Sequence, residues 1–463
     1  MTAIGLQARA GATTGGYALS SEDLRRTAVA TLVRNWRGRS TVPTPSLYPH
    51  QWSWDSAFNA VGWAHVSPRR AWTELSALLG AQWRDGRVPQ IVFDPAVAED
   101  AYFPGPWFWR PLPADGPPRG VVTSGLVQPP VHAGAALTVA RRSPGPESAA
   151  ALRRLYPRLV RWHDYLWSRR RAPEVGLVAI VHPWESGLDN SPTWDAPLRA
   201  VPARNVTEVA GHRRDLLHAG SAHRPTHDDY ARYVLLVRDY RDGGYRDTHH
   251  SLRFYVVDPL MNAVLAWSER ALAAIARIVG ADPQPHLDRA REITQLMQEH
   301  LWSPAAGCFT AMDALTGAPI RTRTVGGLAP LLLPDLDAAI RETLVATLTG
   351  PAFGLGDGVR GVPSYDLTAP DLDRQRYWRG PTWASTNWLV WQGLQTAERH
   401  DLAGRLAADM VGLVAAAGLR EYFDPITGAG LGGTDFTWTA AVLLDMLPPP
   451  SAATATNPIQ IGP

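Results

Sequence analysis

One stretch of the chain concentrates side chains that could act on a carbohydrate. Residues 182–195 read His-Pro-Trp-Glu-Ser-Gly-Leu-Asp-Asn-Ser-Pro-Thr-Trp-Asp and contain three carboxylates and two tryptophans. The Gly, Asn, Ser and Pro residues within it favour a loop. Polar groups can hydrogen-bond to sugar hydroxyls while indole faces cover its C–H faces, and a carboxylic acid can protonate a glycosidic oxygen. The alternative is a structural loop anchored by two core tryptophans.

Three further stretches share this combination of acids, amides and aromatic rings. They are residues 48–55, 376–387 and 420–437, and the last places Glu421 after a predicted helix and beside a Gly-rich loop. Taken singly, each is explained by core packing or helix capping. In a barrel of paired helices, however, the loops at one end converge. We therefore expect these stretches and residues 184–195 to line one pocket.

The elements that position these loops are predicted to be helices. Apolar residues recur at helical spacing and two-residue alternation is almost absent, which indicates an all-α protein. Helices are predicted at 21–36, 68–83, after Gln128-Pro129-Pro130, and at 146–169, 258–279, 284–301, 335–349, 383–398, 401–417 and 435–447. Ser21 is the predicted first N-cap, and Gly418 is a predicted helix end.

Two long segments are predicted to cover the pocket. Residues 94–120 are rich in Pro, Gly and aromatic residues, and long loops of this kind in compact domains are usually functional. Residues 204–253 form a His- and Arg-rich insertion, which we expect to be a polar, mobile lid or surface loop. Its histidines (His212, His218, His223, His227, His249 and His250) lack a recognised metal-ligand spacing, so no metal site is predicted.

The composition restricts the class of protein. The chain has 463 residues, a formal net charge of +2 without a long basic block, 19 tryptophans and one cysteine, Cys308. These values predict a globular protein that binds neither nucleic acid nor membranes, and the single cysteine fits a cytoplasmic location. We expect one domain at 21–447, a disordered tail at 1–20 and a loose tail at 448–463.

Taken together, the four motifs resemble a known family. The loop at 184–192 resembles the acid loop of glycoside hydrolase family 63 and of the related trehalases. The stretches 48–55, 377–383 and 421–436 are similar, more specifically, to bacterial glucosylglycerate and mannosylglycerate hydrolases of that family. The resemblance covers roughly residues 25–447, with the four motifs in order. It implies an (α/α)6 barrel with long lid loops that hydrolyses a small α-glycoside with inversion, without a cofactor.

The resemblance also implies roles for individual residues. Asp189 matches the general acid and Glu421 the general base of an inverting reaction. Asp55 is expected to bond sugar hydroxyls, and Arg379 is a candidate partner for the carboxylate of glycerate. The full set expected to contact substrate is Tyr48, Gln51, Trp52, Trp54, Asp55, Gln128, Trp184, Tyr377, Trp378, Arg379, Gly380 and Trp383.

Three alternatives remain open from the sequence. The chain could be a trehalase or another α-glucosidase for a short glycoside. It could be a carbohydrate-binding barrel without activity, although both matched acids argue against this. It could also be an isomerase or epimerase of N-acyl sugars, which would use histidine bases. The partner is expected to be a small-molecule glycoside, and a homo-oligomer is compatible with the sequence.

Overall fold

The computed structural model describes residues 19–217, 221–247 and 252–449. Within these residues there are fourteen α-helices. In chain order they are α1 (Ser21–Asn35), α2 (Ser53–Ala64), α3 (Pro68–Gly80), α4 (His132–Arg142), α5 (Pro146–Arg169), α6 (Asp195–Arg199), α7 (Val206–His212), α8 (His227–Asp242), α9 (Pro259–Val279), α10 (Gln284–His300), α11 (Ala338–Thr349), α12 (Ala384–Thr396), α13 (His400–Ala417) and α14 (Thr437–Met446).

Six elements form a closed inner ring. Each packs against the next in the order α2, α4, α9, the 3-10 helix Val325–Leu332, α12 and α14, and α14 returns to α2. Helices α2 and α14 are buried along their whole lengths, as expected for helices covered on all sides. The core of the protein therefore lies within and around this ring.

A second helix backs each member of the ring. Helix α1 packs on α14, α3 on α2, α5 on α4 and α9, α10 on α9, α11 on the 3-10 helix, and α13 on α12. These outer helices are amphipathic: α5, for example, buries Leu152, Leu155, Leu159 and Leu166 at spacings of three, four and seven residues. The predicted all-α (α/α)6 barrel is confirmed.

Two members of the inner ring were not predicted as helices from the sequence. Helix α2 has no polar face because all twelve of its residues are buried, so it shows no apolar stripe. In the 3-10 helix, Pro330 lacks an N–H, and a Cβ on Gly327 would lie 2.3 Å from the Phe309 carbonyl oxygen. Glycine at that position lets the ring element approach its neighbour closely.

The other predicted helices are present, with ends displaced by a few residues. The first N-cap is Ser20, not Ser21 as predicted: its hydroxyl accepts from the Asp23 N–H in a capping box. Gly418 ends α13, as predicted. Residues 1–18 and 450–463 lie outside the described part of the chain, so the two tails stay predictions.

Short strands tie loops together beside the ring. They are β1 (Gln51–Trp52), β2 (Ile91–Val92), β3 (Ala179–Ile180), β4 (Val256–Val257), β5 (Trp302–Ser303), β6 (Cys308–Phe309), β7 (Ala311–Asp313), β8 (Ala318–Ile320), β9 (Thr382–Trp383), β10 (Tyr422–Phe423) and β11 (Gly430–Leu431). The antiparallel orders are β1-β2, β11-β10-β9, β3-β4-β7-β8 and β5-β6. Strands β1, β4 and β9 lie just before the inner helices α2, α9 and α12, so they fix the loops at those helix N-termini.

The 204–253 segment is more ordered than predicted. Helix α8 begins at a capping box made by Thr226 and Asp229 and buries Tyr230, Tyr233 and Val237. The expectation of a surface loop is therefore wrong for α8, while the mobility of the segment stays a prediction. Residues 218–220 and 248–251 lie outside the described residues, and with them His218, His249 and His250. None of the described helices has the length and apolarity needed to span a bilayer.

Candidate active site

A cavity of about 840 Å³ lies beside the N-terminal ends of α2 and α14. All four predicted stretches reach it, together with parts of the 94–120 and 204–253 segments. Of the predicted site residues, those that line it are Tyr48, Trp52, Trp54, Asp55, Gln128, Trp184, Asp189, Tyr377, Trp378 and Glu421. The expectation that the four stretches share one pocket is therefore confirmed.

Glu421 is the residue directly before β10, and its side chain lines the cavity. Its side chain is 1% exposed and its carboxylate accepts three short hydrogen bonds. Arg224 Nη2 and the Gly433 N–H each lie 2.8 Å from Oε2, and the Tyr48 hydroxyl lies 3.1 Å from Oε1. A Cβ on Gly432, whose φ is +67°, would lie 2.5 Å from Oε2, which explains the Gly-rich sequence here. These donors surround an ionised carboxylate, the form that a general base requires.

Asp189 enters from a loop that its own side chains hold in place. The Trp194 indole donates to the Leu188 carbonyl at 2.8 Å, and the Asn190 side-chain oxygen accepts from the Trp378 N–H at 2.9 Å. Burial raises the pKa of the Asp189 carboxyl to about 7; Arg224 opposes this effect and Glu421 adds to it. A carboxylic acid that keeps its proton near neutral pH can act as a general acid.

Two tyrosines join the acid to the base. The Tyr377 hydroxyl lies 3.4 Å from Asp189 Oδ2 and 3.3 Å from the Tyr48 hydroxyl, which lies 3.1 Å from Glu421 Oε1. The two end oxygens are therefore at most about 10 Å apart, a bound that admits the roughly 6.5–9.5 Å separation of inverting glycosidases. Tyr377 has a φ of +41°, an unfavourable backbone conformation of a kind that clusters at functional sites.

The other two carboxylates of the 182–195 loop are structural. Glu185 is fully buried and accepts from Arg170 at 2.6 and 2.8 Å. It also accepts from the N–H groups of Val181 at 2.8 Å and Val127 at 3.2 Å, so it links the acid loop to the segment that carries Gln128. Asp195 pairs with Arg379 at 2.9 and 2.7 Å. Of the three acids, Asp189 is the one that lines the cavity.

Asp55 lies in the first turn of α2 and is 3% exposed. Burial raises the pKa of its carboxyl well above the ordinary value, and the nearby Glu421 adds to this effect. The preceding Trp54 N–H donates to the Gln128 side chain at 3.2 Å, which fixes the start of the helix. Among the described residues no side chain hydrogen-bonds to the Asp55 carboxyl, so it is available to the hydroxyls of a bound sugar.

Gln51 and Trp383 were predicted to contact substrate, but neither lines the cavity. The Gln51 amide donates to Ser56 Oγ at 3.0 Å and to Glu74, because β1 turns its side chain into the core. Trp383 is fully buried and stacks on Trp378 with ring centroids 3.8 Å apart. Both side chains are therefore buried in the core and do not line the cavity.

Arg379 and Gly380 are also away from the cavity. The Arg379 guanidinium is occupied by Asp195 and Asp371, so its proposed role as the glycerate partner is not supported. The Gly380 N–H donates to Ser364 Oγ at 3.0 Å, and a Cβ there would clash with the backbone of Asp373. Close backbone packing explains this glycine without a ligand.

The cationic side chains of the cavity come from the long 204–253 segment, and sequence reasoning missed them. Arg224 and Arg214 both line the cavity, and Tyr102 lines it from the 94–120 segment. Arg224 is 3% exposed, pairs with Glu421, and lies over the Tyr377 ring at 4.7 Å. None of these three residues belongs to one of the four predicted stretches. The sequence pointed to them only through the prediction that the 94–120 and 204–253 segments cover the pocket.

The described histidines of the 204–253 segment do not form a metal site. Within residues 19–217, 221–247 and 252–449, no group of three or more His, Cys, Asp or Glu side chains is placed to hold a metal ion. The described histidine His212 instead stacks on Phe103, with ring centroids 5.2 Å apart. This contact joins the 204–253 and 94–120 segments.

Comparison with known proteins identifies the family. The family model for the mannosylglycerate hydrolase MGH1-like glycoside hydrolase domain matches residues 48–439. The chain belongs to this family. It is therefore a glycoside hydrolase, and the predicted enzyme class and relation to family 63 are confirmed.

Individual relatives match nearly the whole chain. A mannosylglycerate hydrolase of Rubrobacter radiotolerans is 40% identical over 92% of this chain and 97% of its own. A glucosylglycerate hydrolase of Mycolicibacterium hassiacum is 35% identical over 89% of this chain and 94% of its own. A family 63 mannosylglycerate hydrolase of Thermus thermophilus, solved with Tris and D-glycerate, is 40% identical with a TM-score of 0.82, and the match covers 91% of this chain and 99% of that one.

Proposed function

We propose that the protein hydrolyses the α-glycosidic bond of a glycerate glycoside, glucosylglycerate or mannosylglycerate, with inversion at the anomeric carbon. The observation that carries the proposal is the pair of acids in one cavity. Asp189 has a pKa raised to about 7 by burial, whereas Glu421 is paired with Arg224. Two carboxyls whose environments favour opposite protonation states suit the two roles of this reaction.

The steps follow from these protonation states. Asp189 donates its proton to the glycosidic oxygen, so glycerate leaves as an alcohol. Glu421 takes a proton from a water molecule, whose oxygen bonds to the anomeric carbon from the opposite face. An α-glycoside then gives the β-hexose. Asp55 and the rings of Trp52 and Trp54 are placed to hold the sugar, because they line the same cavity.

The choice of glycerate rests on charge and on the family. Arg224 and Arg214 both line the cavity. Arg224 is engaged by the buried Glu421, whereas the ion pair of Arg214 with Asp100 is exposed to solvent, so Arg214 is the arginine that can bind a carboxylate through two parallel hydrogen bonds. The two curated relatives described above are named for mannosylglycerate and glucosylglycerate, and one related structure holds D-glycerate. A trehalase would need to bind a second neutral sugar in place of the acid, so the cationic side chains favour a glycerate glycoside over trehalose. The cytoplasmic location and the oligomeric state stay predictions from the sequence.

Two measurements test the proposal. The purified protein is incubated with glucosylglycerate, mannosylglycerate and trehalose, and free hexose is assayed while NMR records the anomer in the first minutes. We expect hexose from at least one glycerate glycoside and the β-anomer as first product. The α-anomer would contradict inversion, and hexose from trehalose alone would contradict the substrate.

Substitution of each acid tests the roles. We expect Asp189→Asn and Glu421→Gln to fold and to lose on the order of a thousandfold in rate, since acid–base assistance contributes about 10²–10⁴-fold per group. Asp189→Asn should retain much of its activity on a glycosyl fluoride, because fluoride leaves without a proton. Glu421→Gln should stay slow on every substrate, because its water is not activated. Equal rescue of both variants by fluoride would show that the roles are wrongly assigned.

A further inference from the structure

An inverting reaction leaves its two acids in the wrong protonation states. If the proposed function holds, each turnover ends with Glu421 protonated and Asp189 ionised. A proton must then move from Glu421 to Asp189 before the next substrate can react. Glu421 is 1% exposed, and its oxygens contact Arg224, Tyr48 and the Gly433 N–H. Its proton therefore has little direct contact with bulk water.

A chain of hydroxyl groups already connects the two acids. Tyr48 contacts Glu421 at 3.1 Å, Tyr377 contacts Tyr48 at 3.3 Å, and Tyr377 contacts Asp189 at 3.4 Å. All four side chains line the cavity. Each contact is within hydrogen-bond distance, so the path from base to acid is continuous.

We propose that Tyr48 and Tyr377 form a proton relay that returns the proton from Glu421 to Asp189 after each hydrolysis. Glu421 gives its proton to the Tyr48 oxygen, Tyr48 gives its own to the Tyr377 oxygen, and Tyr377 gives its own to Asp189 Oδ2. Three O–H bonds break and three form. One proton is transferred overall, and both phenols end as they began.

The hydrogen bonds around Tyr48 can be satisfied both before and after the transfer. A phenol donates one hydrogen bond and accepts two. After hydrolysis the Tyr48 oxygen accepts from Glu421 and from Arg224 Nη1, which lies 3.0 Å away, and it donates to Tyr377. After the relay it accepts from Tyr377 and Arg224 and donates to the ionised Glu421. Each proton carried by the two hydroxyls and the two carboxyls of the chain therefore has an acceptor in both states.

The charges give the relay its direction. The transfer restores the ion pair between Glu421 and Arg224, whose atoms are 2.8 Å apart, and neutralises Asp189. Among the described ion pairs none includes Asp189, so its negative charge is the less stabilised of the two. Burial raises the pKa of both Tyr48 and Tyr377 well above the ordinary value, which favours a concerted shift over a tyrosinate intermediate.

Loss of the relay predicts a particular kinetic pattern. Tyr48→Phe and Tyr377→Phe each interrupt the chain while keeping the ring. The first turnover of each variant does not need the relay, whereas later turnovers must exchange protons with solvent or with a small buffer molecule. In rapid-quench experiments we expect one hexose per active site to form faster than the steady state. We also expect kcat to rise severalfold as imidazole is added at constant pH and ionic strength.

Tyr102→Phe is the matched control, because Tyr102 lines the cavity but is not part of the chain. This variant and the wild type should show a kcat independent of imidazole. If Tyr48→Phe and Tyr377→Phe also show no initial burst and no response to imidazole, the relay is refuted. If the wild type does not cleave either glycerate glycoside, the proposed substrate is wrong, and the relay is measured with the same variants on the α-glycoside that it does cleave.

Discussion

The ion pair between Arg224 and Glu421 offers a quantitative test of how the base is kept ionised. Arg224 Nη2 lies 2.8 Å from Oε2, and Nη1 lies 3.4 Å from Oε1. Both side chains are nearly inaccessible, at 3% and 1% exposure. Arg224→Met keeps much of the side-chain length and removes the charge. The carboxylate of Glu421 would then be buried without a cation.

The size of the effect follows from the burial of the pair. Removal of one partner from a buried ion pair typically costs about 3–5 kcal/mol of folding stability. Each 1.36 kcal/mol of activation free energy corresponds to a factor of ten in rate. The reaction requires ionised Glu421, and the largest loss arises when the whole cost falls on that form, so we expect kcat/KM to fall by up to a few thousandfold.

The pH dependence should change as well. In the wild type, kcat/KM should fall as pH rises through the pKa of Asp189, which burial has raised to about 7. Arg224 lowers that pKa, so its removal should move the alkaline limb to higher pH. A mere loss of affinity for glycerate would lower kcat/KM without displacing this limb.

Arg213→Met is the matched control for the loss of a buried arginine. Arg213 is also in the 204–253 segment and is 1% exposed. It pairs with Asp215 at 2.6 Å, and its guanidinium lies over the Tyr230 ring. The control should lose stability and keep the alkaline limb of the wild type. The assay is hexose release as a function of pH for the three proteins. If Arg224→Met keeps the wild-type kcat/KM and alkaline limb, or if both variants change them equally, the pairing with Arg224 does not determine the state of the base.

Two further predictions concern the acid loop and the core. Gly187→Ala should lower both kcat and the thermal unfolding temperature, because a Cβ at φ +73° would lie 2.5 Å from the Trp54 ring; unchanged values would contradict the close packing. The pKa of Glu269 lies below its ordinary value, since burial is outweighed by His163, His286 and Arg289. Its stabilisation is therefore present at neutral pH and lost as pH falls below the ordinary carboxyl range. Glu269→Gln should cost about 3–5 kcal/mol in urea unfolding at neutral pH, and less in acid; a cost that did not shrink in acid would refute the assignment.

The sequence was sufficient to predict those helices of the barrel that have one polar face. Helices α5 and α10 were predicted within a few residues because their outer surfaces stay polar. Helix α2 and the 3-10 helix Val325–Leu332 were missed. Helix α2 is buried on all sides and shows no apolar stripe, and Pro330 interrupts the helical pattern of the 3-10 helix. Helix α14 is buried as completely and was predicted, so a place in the inner ring does not by itself hide a helix.

The site was predictable to the extent that its residues belong to local motifs. Trp52, Trp54 and Asp55 are contiguous with α2 and were predicted together. Arg379 was also within a motif, yet its guanidinium is taken by Asp195, which no local pattern reveals. Arg224 lies 197 positions from Glu421 in the chain. The contact is produced by the fold, and nothing in the sequence near Arg224 indicates it.

The arginines at and around the site explain why its carboxylic side chains have different roles. Arg170 pairs with Glu185, Arg379 with Asp195 and Arg224 with Glu421. For the buried carboxylates Glu185 and Glu421, the guanidinium offsets part of the cost of desolvation, whereas Asp195 is 43% exposed. Among the described residues Asp189 has no such ion pair and contacts the neutral Tyr377 hydroxyl instead. Burial without a paired cation keeps its proton in place near pH 7, and that proton is what a glycosidic oxygen requires when it leaves.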